Sequence, residues 1–516
     1  MSGIRTRRKA LPVLPAAGPA HDAPTDGRAG AAIRVVTLGC DKNTVDSERL
    51  LAGLAAAGAQ PTGDDDADVI VINTCGFIEA AREESIDVIL EAVRLKKAGR
   101  VRAVAAVGCL VQRYREELRA ELPEVDLFLG LTEAERLVPE LRARGFLPRT
   151  PPVMERPLRL LSTATRHTSH LKISEGCDHG CAFCAIPLMR GRHRSTSLEA
   201  LVAEARQLER DGVVELNLVS QDTTWYGRDL QRGRPSASPT ESYIGTPFPG
   251  MSGLVTGFPV LAATAGPAGR AGSASLNDLL RALLDATAIP WLRLFYMYPS
   301  GIGRDLVELV AAEPRIVKYL DMPIQHGADS VLERMRRPER RATIRERVRW
   351  LREAIPDVAL RTTVIVGFPG ETDAEFETLL DLLEEVRFDH VGAFSYSVEE
   401  GTPAASMPDP VSESLKRERL ERLTDLQRSL SHELNEARVG TADTVLVDRV
   451  AGRASRLDAD DLPACGAVAR SARQALEIDG VVHIMETGVA RPGDFVRVRY
   501  TDAVEFDLVA ERVKAG

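Results

Sequence analysis

Residues 170–184 read HLKISEGCDHGCAFC. A short apolar strand runs into a loop in which Cys177, Cys181 and Cys184 form a Cys-x3-Cys-x2-Cys pattern, and the chain then continues as AIPLMRGRHRS. A structural zinc site normally takes four protein ligands, often as paired Cys-x2-Cys steps. Three thiolates on a four-iron cluster would instead leave one iron open. A cluster held by four cysteines is suited to carrying electrons, whereas an open iron can also bind and cleave a molecule.

The stretch downstream of this loop keeps a strand and helix rhythm. Strand candidates are VVELNLVSQD (213–222), WLRLFYMYP (291–299), YLDMPIQH (319–326), ALRTTVIVGFPG (359–370) and HVGAFSYS (390–397). Amphipathic segments such as SLEALVAEARQLERDG (197–212) lie between them. With HLKISEGC these make six strands alternating with helices, which predicts a partial, TIM-like βα barrel over residues 165–410 with its site at the C-terminal strand ends. Residues 232–275, rich in Gly, Pro, Ala and Ser without periodicity, read as a disordered insertion between the second and third strands.

Upstream, residues 33–145 alternate in the same way. IRVVTLGC, ADVIVINTC and VRAVAAVGC are apolar runs separated by helical segments, the signature of a parallel, flavodoxin-like α/β sheet. Each run ends at a cysteine, Cys40, Cys75 and Cys109. Carboxyl strand ends of an open α/β sheet line the ligand crevice, so three thiols distant in sequence converge on one edge. The competing reading is core packing, since free cysteine is among the most buried residue types. Three in the same topological position, with Gly39, Gly76 and Gly108 beside them and Asn43 and Asn73 nearby, favour shared metal ligation.

Residues 411–437, with Leu415, Leu420, Leu423, Leu426, Leu430 and Leu434 among charges, read as an amphipathic linking helix. From 438 to 516, TVLVDRV, ALEIDGVVHIMET, DFVRVRYTDA and FDLVAERV are short alternating strands, which predicts a small OB-like β-barrel. Cys465 there reads as a spare thiol, and Asp64, Asp65 and Asp66 as a solvated loop. Residues 1–32 are Pro-, Ala- and Gly-rich without an apolar core segment, and read as a disordered tail rather than a signal peptide.

The chain of 516 residues carries a formal net charge of −9, against a surface built throughout for nucleic acid, and has no apolar run long enough to span a bilayer. Seven cysteines are too few and too scattered for a secreted disulfide framework. A cytoplasmic monomer is expected, with no membrane association.

The CDHGCAFC loop resembles the signature of the radical SAM enzymes, whose open iron chelates the amino and carboxylate groups of S-adenosylmethionine. The resemblance extends to the methylthiotransferases of that superfamily, whose N-terminal domain holds a second 4Fe-4S cluster on three cysteines and whose terminal barrel is a TRAM domain. Within them LGCDKNTVDSE (38–48), NTCGFI (73–78), SQDTTWYGRDL (220–230), YLDMPIQHGADSVLERMRRP (319–338), VGFPGET (366–372) and EEGTPAA (399–405) are most similar to the branch that modifies a ribosomal protein. The tRNA-modifying branch more often has Met at the position of Lys42 and Ser at that of His326.

The resemblance implies an enzyme that places a methylthio group on the β-carbon of an aspartate of small-subunit ribosomal protein twelve. It implies two 4Fe-4S clusters, on Cys177, Cys181 and Cys184 and on Cys40, Cys75 and Cys109. It also implies S-adenosylmethionine and a reductase or flavodoxin-type electron donor. An unactivated C–H bond resists acid/base attack and calls for radical chemistry. Gln221, Asp222, Arg361, Gly367, Gly370 and Glu371 fall where S-adenosylmethionine is expected, although Gly-rich turns after strands are also ordinary turn chemistry. Gln325 and His326 are candidates for facing the substrate, His326 against the base rate of a structural histidine. From residue 438 onward acidic residues slightly outnumber Lys plus Arg, which suits a basic ribosomal protein better than tRNA. The rival readings are a tRNA adenosine methylthiotransferase and a non-enzymatic metal-cluster factor for ribosome assembly.

Overall fold

Apolar runs of six residues between amphipathic helices leave a chain little choice but to stack strands side by side and cover both faces with helices. The computed structural model describes residues 30–64, 67–150, 157–161, 165–230, 274–450, 466–486, 488 and 490–513. Residues 1–29 of the expected tail, nearly all of the 232–275 insertion, Asp65, Asp66 and Cys465 lie outside the described residues; Ala32, counted with that tail, is the first residue of the opening strand.

The N-terminal unit is β1 (Ala32–Thr37), α1 (Asp41–Ala56), β2 (Gln60–Pro61), β3 (Val69–Thr74), α2 (Glu79–Lys97), β4 (Ala103–Gly108), α3 (Cys109–Glu121), β5 (Leu127–Gly130) and α4 (Leu137–Ala143). The strands pair in parallel in the order β2-β1-β3-β4-β5. That is the flavodoxin-like order. Alternation along β3 divides two cores: Val69 and Val71 pack with Leu51, Leu54, Leu137 and Leu141 on one face, and Ile70 and Ile72 pack with Ile89, Val93 and Leu110 on the other. Two strands were not foreseen. β2 is two residues long and contains Pro61, so no periodicity can develop in it, and LFLG of β5 is a four-residue apolar run indistinguishable from a helix fragment.

The second unit runs β6 (Thr168–Lys172), β7 (Ser174–Glu175), α5 (Ile186–Arg190), β8 (Arg194–Ser195), α6 (Leu198–Arg210), β9 (Glu215–Val219), α7 (Leu276–Ala286), β10 (Trp291–Leu294), α8 (Arg304–Ala312), β11 (Ile316–Asp321), α9 (Asp329–Arg334), α10 (Arg341–Ala354), β12 (Ala359–Val366), α11 (Asp373–Val386) and β13 (His390–Ser395). Its main sheet has six parallel strands in the order β13-β12-β11-β10-β9-β6, sequential and unclosed, a partial barrel. Side-chain caps fix the covering helices: Ser197 Oγ accepts from the Ala200 amide at 3.3 Å, and Ser275 with Asp278 and Thr372 with Glu375 form reciprocal capping boxes. Leu201, Ala205 and Leu208 of α6 line up at helical spacing and join Leu360, Val364 and Val366 in the core on the helical side.

α12 (Glu413–Glu436) then leads to a closed barrel of β14 (Ala442–Val450), β15 (Ala467–Ser471), β16 (Val482–Ile484), β17 (Phe495–Val504) and β18 (Asp507–Arg512). Of the six leucines read as the buried stripe of α12, Leu423 and Leu430 are buried; Lys416, Arg419, Gln427 and Ser431 fill the rest of that face. Of the run ALEIDGVVHIMET only Val482–Ile484 is a strand, and β15 was missed because its AVARS sequence lacks aromatic and alternating polar marks.

This small barrel lies against the starting ends of β6, β9 and β10 and the concave face of the main sheet. Arg470 of β15 donates to Glu215 at 2.7 Å and Asp448 at 2.7 Å, Arg293 donates to Glu215 at 2.8 Å, and the Tyr319 hydroxyl donates to Asp479 at 2.8 Å. Glu215 is fully buried. Burial would raise its pKa, but Arg470 and Arg293 outweigh that and hold it down at about 2.

Candidate functional site

The chemistry-bearing side chains collect at the opposite edge, where parallel strands end. Cys40 caps the start of α1 after β1, Cys75 follows β3, and Cys109 opens α3 directly after β4. Because β1, β3 and β4 are adjacent and in register, three residues spread over the sequence arrive side by side. The backbone there is drawn tight. A Cβ on Gly39 would lie 2.8 Å from Cys75 Sγ, and one on Gly76 would lie 3.2 Å from the Cys109 carbonyl carbon. Gly108 has φ +103, and a Cβ on it would meet Asn73 Oδ1 at 2.4 Å, so both its conformation and its surroundings require glycine.

Two buried asparagines hold these strand ends. Asn43 Nδ2 donates to the Leu38 carbonyl at 2.8 Å and the Thr74 carbonyl at 3.2 Å. Asn73 Nδ2 donates to the Asn43 carbonyl and Ser47 Oγ, each at 3.0 Å. Ser85 Oγ accepts from the Cys75 amide at 3.0 Å and donates to its carbonyl at 2.9 Å.

Cys177, Cys181 and Cys184 sit on one loop after β6 and β7. The Cys177 amide donates to the Gly191 carbonyl at 3.0 Å, the Cys184 amide to the Cys181 carbonyl at 3.2 Å, and the Ala182 amide to the Met335 carbonyl at 2.9 Å. The aromatic and charged lining is dense. His179 stacks on Tyr298 with centroids 3.9 Å apart and leans on Trp225 at 4.0 Å, while Asp222 Oδ2 holds its Nε2 at 2.7 Å. The Tyr298 hydroxyl is 3.3 Å from Cys181 Sγ, and the Arg337 guanidinium lies over the Tyr298 ring at 3.8 Å. Sequence reading quoted Trp225 and Arg337 within motifs but assigned them nothing; only contact with the cysteine loop marks them.

All six cysteines are free thiols, Cys40 exposed, Cys184 half-buried and the other four buried. Burial is the main cause that pushes Cys75 up to about 11 and Cys109, Cys177 and Cys184 up to about 12. Metal-free, those four stay protonated at neutral pH, and ligation must displace their protons. Among the described residues no three His, Cys, Asp or Glu side chains close on a single metal ion. That donor chemistry, soft thiolates in threes, fits iron–sulfur clusters with an open iron. Gln221, at the end of β9 beside the cysteine loop, leaves Oε1 buried without a hydrogen-bond partner, as a residue facing an added ligand would.

The remaining predicted contacts spread over two layers. Arg361 points into the barrel, donating to Asp321 Oδ1 at 2.9 Å and lying 3.5 Å from Asp479 of the C-terminal barrel. Glu371 spends its carboxylate on the VGFPG turn: Oε2 accepts from the amides of Gly367 and Phe368 at 2.7 and 3.1 Å, and Oε1 from Arg419 of α12 at 3.0 Å. Gly367 and Gly370 have φ +73 and +72. Gln325 adopts φ +70 and bridges to β12. His326 is fully buried behind the turn, with burial pushing its pKa down to about 3, and its Nδ1 accepts from the Ala328 amide at 3.0 Å. Its Nε2 is buried without a hydrogen-bond partner.

The two triads share one piece of structure, α5. Ala185 and Met189 pack directly on Cys109. Arg190, at the end of the same helix, donates to Asn43 Oδ1 at 2.5 Å and to Glu175 Oε1 at 2.7 Å, and lies 3.3 Å from Asp46. Thus five residues separate the cysteine loop of the barrel from the strand-end thiols of the neighbouring sheet.

Three family profiles match in order: the uncharacterized protein family UPF0004 over residues 32–130, the radical SAM superfamily over 171–383 and the TRAM domain over 439–513. The ribosomal protein uS12 methylthiotransferase RimO of Geobacter sulfurreducens is 41% identical over 487 residues, covering 93% of this chain and 98% of its own. That of Anaeromyxobacter sp. (strain K) is 44% identical over 482 residues, covering 92% of each chain. A radical S-adenosylmethionine methyltransferase of Kitasatospora setae, TsrM, solved with cobalamin and a 4Fe-4S cluster, aligns at a TM-score of 0.47 and 13% identity over 73% of this chain and 74% of its own. With that identity along nearly the whole chain and the same three units, the chain belongs to the RimO family of ribosomal protein uS12 methylthiotransferases.

Proposed function

We propose that the protein installs a methylthio group on the β-carbon of an aspartate of ribosomal protein uS12, with two 4Fe-4S clusters and S-adenosylmethionine. The observation that carries this is the meeting of two three-thiol sets across α5, at the edge where the parallel strands of both sheets end. When bound, the clusters and S-adenosylmethionine supply reductive cleavage, hydrogen abstraction from an unactivated carbon, and the methylthio group.

The chain supplies position and shielding. Cys177, Cys181 and Cys184 hold one cluster, and Cys40, Cys75 and Cys109 the other. His179, fixed by Asp222 and stacked on Tyr298, packs the wall of the first site and keeps water from it. Gln221 offers its unpaired Oε1 to S-adenosylmethionine. Gly367 and Glu371 shape the turn against which that cofactor lies, and Arg361 steadies Asp321 beneath it.

Residues 33–145, 165–410 and 438–516 serve as cluster-bearing, radical and docking units, joined by the helix of 411–437. Among the described residues no helix is long and apolar enough to cross a membrane. A cytoplasmic monomer, reduced by a separate reductase or flavodoxin-type donor, completes the reading.

The test is anaerobic cluster reconstitution and reduction with S-adenosylmethionine, followed by intact-mass analysis of uS12. The expected result is a gain of one methylthio group together with deoxyadenosine. Deoxyadenosine without that mass gain overturns the uS12 assignment and points to tRNA.

A further inference from the structure

Lys42 is a buried cation to which the chemistry above gives no task. It is the second residue of α1, two places after Cys40, and is 6% exposed. Its side chain leaves the N-terminal unit and ends inside the rim of the barrel, with Nζ 3.2 Å from the centroid of the Tyr296 ring. Tyr296 follows β10 in a left-handed conformation, φ +56, and its amide donates to Asp321 Oδ2 at 3.1 Å.

The ionisable groups around Lys42 are Cys40, Asp41, Arg190 and Asp321. The two carboxylates are engaged elsewhere: Asp321 by Arg361 and the Tyr296 amide, Asp41 with His170 at 3.6 Å. Among the described residues none accepts a hydrogen bond from Lys42. An ammonium withdrawn from water onto a ring face keeps part of its desolvation cost, since cation–π attraction returns only a fraction of it. A carboxylate reaching it from the rim would relieve that cost with a charge-assisted hydrogen bond.

Position says which carboxylate. Cys40 is the exposed member of its triad, and Lys42, two residues on, joins that strand end to Tyr296 beyond the end of β10 in the neighbouring barrel. A substrate carboxylate that serves both cluster sites would meet the chain near this junction.

We propose that Lys42 is the positioning and specificity-determining residue that binds the side-chain carboxylate of the target aspartate, holding its β-carbon between the two sites. This rests on the uS12 reading above, and S-adenosylmethionine, which also carries a carboxylate, is the other source to be separated.

The experiment uses cluster-loaded full-length enzyme, its K42M and K42R variants, and a synthetic peptide of the target uS12 loop paired with a twin carrying Asn for the target Asp. Peptide affinity is measured by equilibrium binding, and KM for peptide and for S-adenosylmethionine separately. Wild type is expected to prefer the Asp peptide, and K42M to lose roughly 30-fold or more in its affinity while binding the Asn peptide as wild type does. K42R should recover part of the preference. KM for S-adenosylmethionine and peptide-free deoxyadenosine formation should stay unchanged in both variants.

An unchanged Asp-to-Asn ratio in K42M overturns the proposal. A raised KM for S-adenosylmethionine with peptide affinity intact assigns Lys42 to the cofactor and overturns it equally. If K42M loses its clusters, the Asp-to-Asn ratio of the neutral, polar K42Q variant decides: a ratio equal to wild type's with an unmoved peptide KM overturns the anchor. Wild type that cleaves S-adenosylmethionine yet leaves the Asp peptide unmodified marks failure of the uS12 reading itself, a result visible before any variant is made.

Discussion

The two thiol triads solve the same problem by different means. Cys177, Cys181 and Cys184 belong to one loop, clamped by its own turns and by the carbonyls of Gly191 and Met335. Cys40, Cys75 and Cys109 come from three strands and meet only because β1, β3 and β4 lie in parallel register. The first triad is a local device carried on a barrel; the second is a product of sheet topology. The contrast teaches that a loop triad fails through its own residues, whereas a sheet triad also fails through residues that touch no metal.

The largest expected effect falls on the loop. Cys181→Ala should abolish deoxyadenosine formation under anaerobic reduction, a loss of about three orders of magnitude or more, because the cluster loses one of its three protein anchors. Retained cleavage would break the assignment of that loop. Cys75→Ala should remove roughly half of the bound iron and stop methylthio transfer while sparing deoxyadenosine formation, read by iron assay and product analysis on one sample. If both activities survive, the sheet triad is misplaced.

Acid separates the two supports. Glu215 is held at about 2 in the fold against an ordinary 4.5, so its stabilisation is full above pH 4.5 and is lost as pH falls from there toward 2. The shift corresponds to something on the order of 3 kcal/mol. Proteolysis and hydrogen exchange across that window should show the C-terminal barrel and β9 loosening before the β1–β5 sheet, and Glu215→Gln should flatten the dependence. Simultaneous loosening of both units would mean that they do not stand apart. The smallest effect tests the sheet alone: Gly108→Ala, at φ +103 and facing Asn73, should cost about 1–3 kcal/mol in thermal unfolding and lower only the second triad's iron. Deoxyadenosine yield is the internal control.

Legibility followed the same divide. The loop triad was readable because its spacing is written in eight consecutive residues, and the six barrel strands because each is a long apolar run closed by turn residues. The sheet triad was inferable from three runs ending in the same way. What could not be read was anything made by contact between units. The place of Arg190 against Asn43, the stacking of His179 on Tyr298, and the route of Lys42 into the barrel depend on residues far apart in sequence and on no periodic pattern. Glu371 shows the converse: its position in a Gly-rich turn suggested a cofactor contact, and its carboxylate proves to be occupied by the turn's own amides and Arg419. β15 and β5 were lost for a simpler reason: AVARS carries no aromatic or alternating polar mark, and LFLG cannot be told from a fragment of helix.

The ion-pair cluster beneath the barrel sets a limit on how such chains can be recombined. Glu215 and Arg293 of the main sheet and Arg470 of the C-terminal barrel are fully buried together. Exchanging the terminal barrel for one with an apolar underside would leave the Glu215 carboxylate buried with Arg293 alone, without the second guanidinium that Arg470 supplies. The C-terminal barrel therefore cannot be shuffled between genes as a free cassette; it has to be inherited, or engineered, together with the floor of the sheet it stands on.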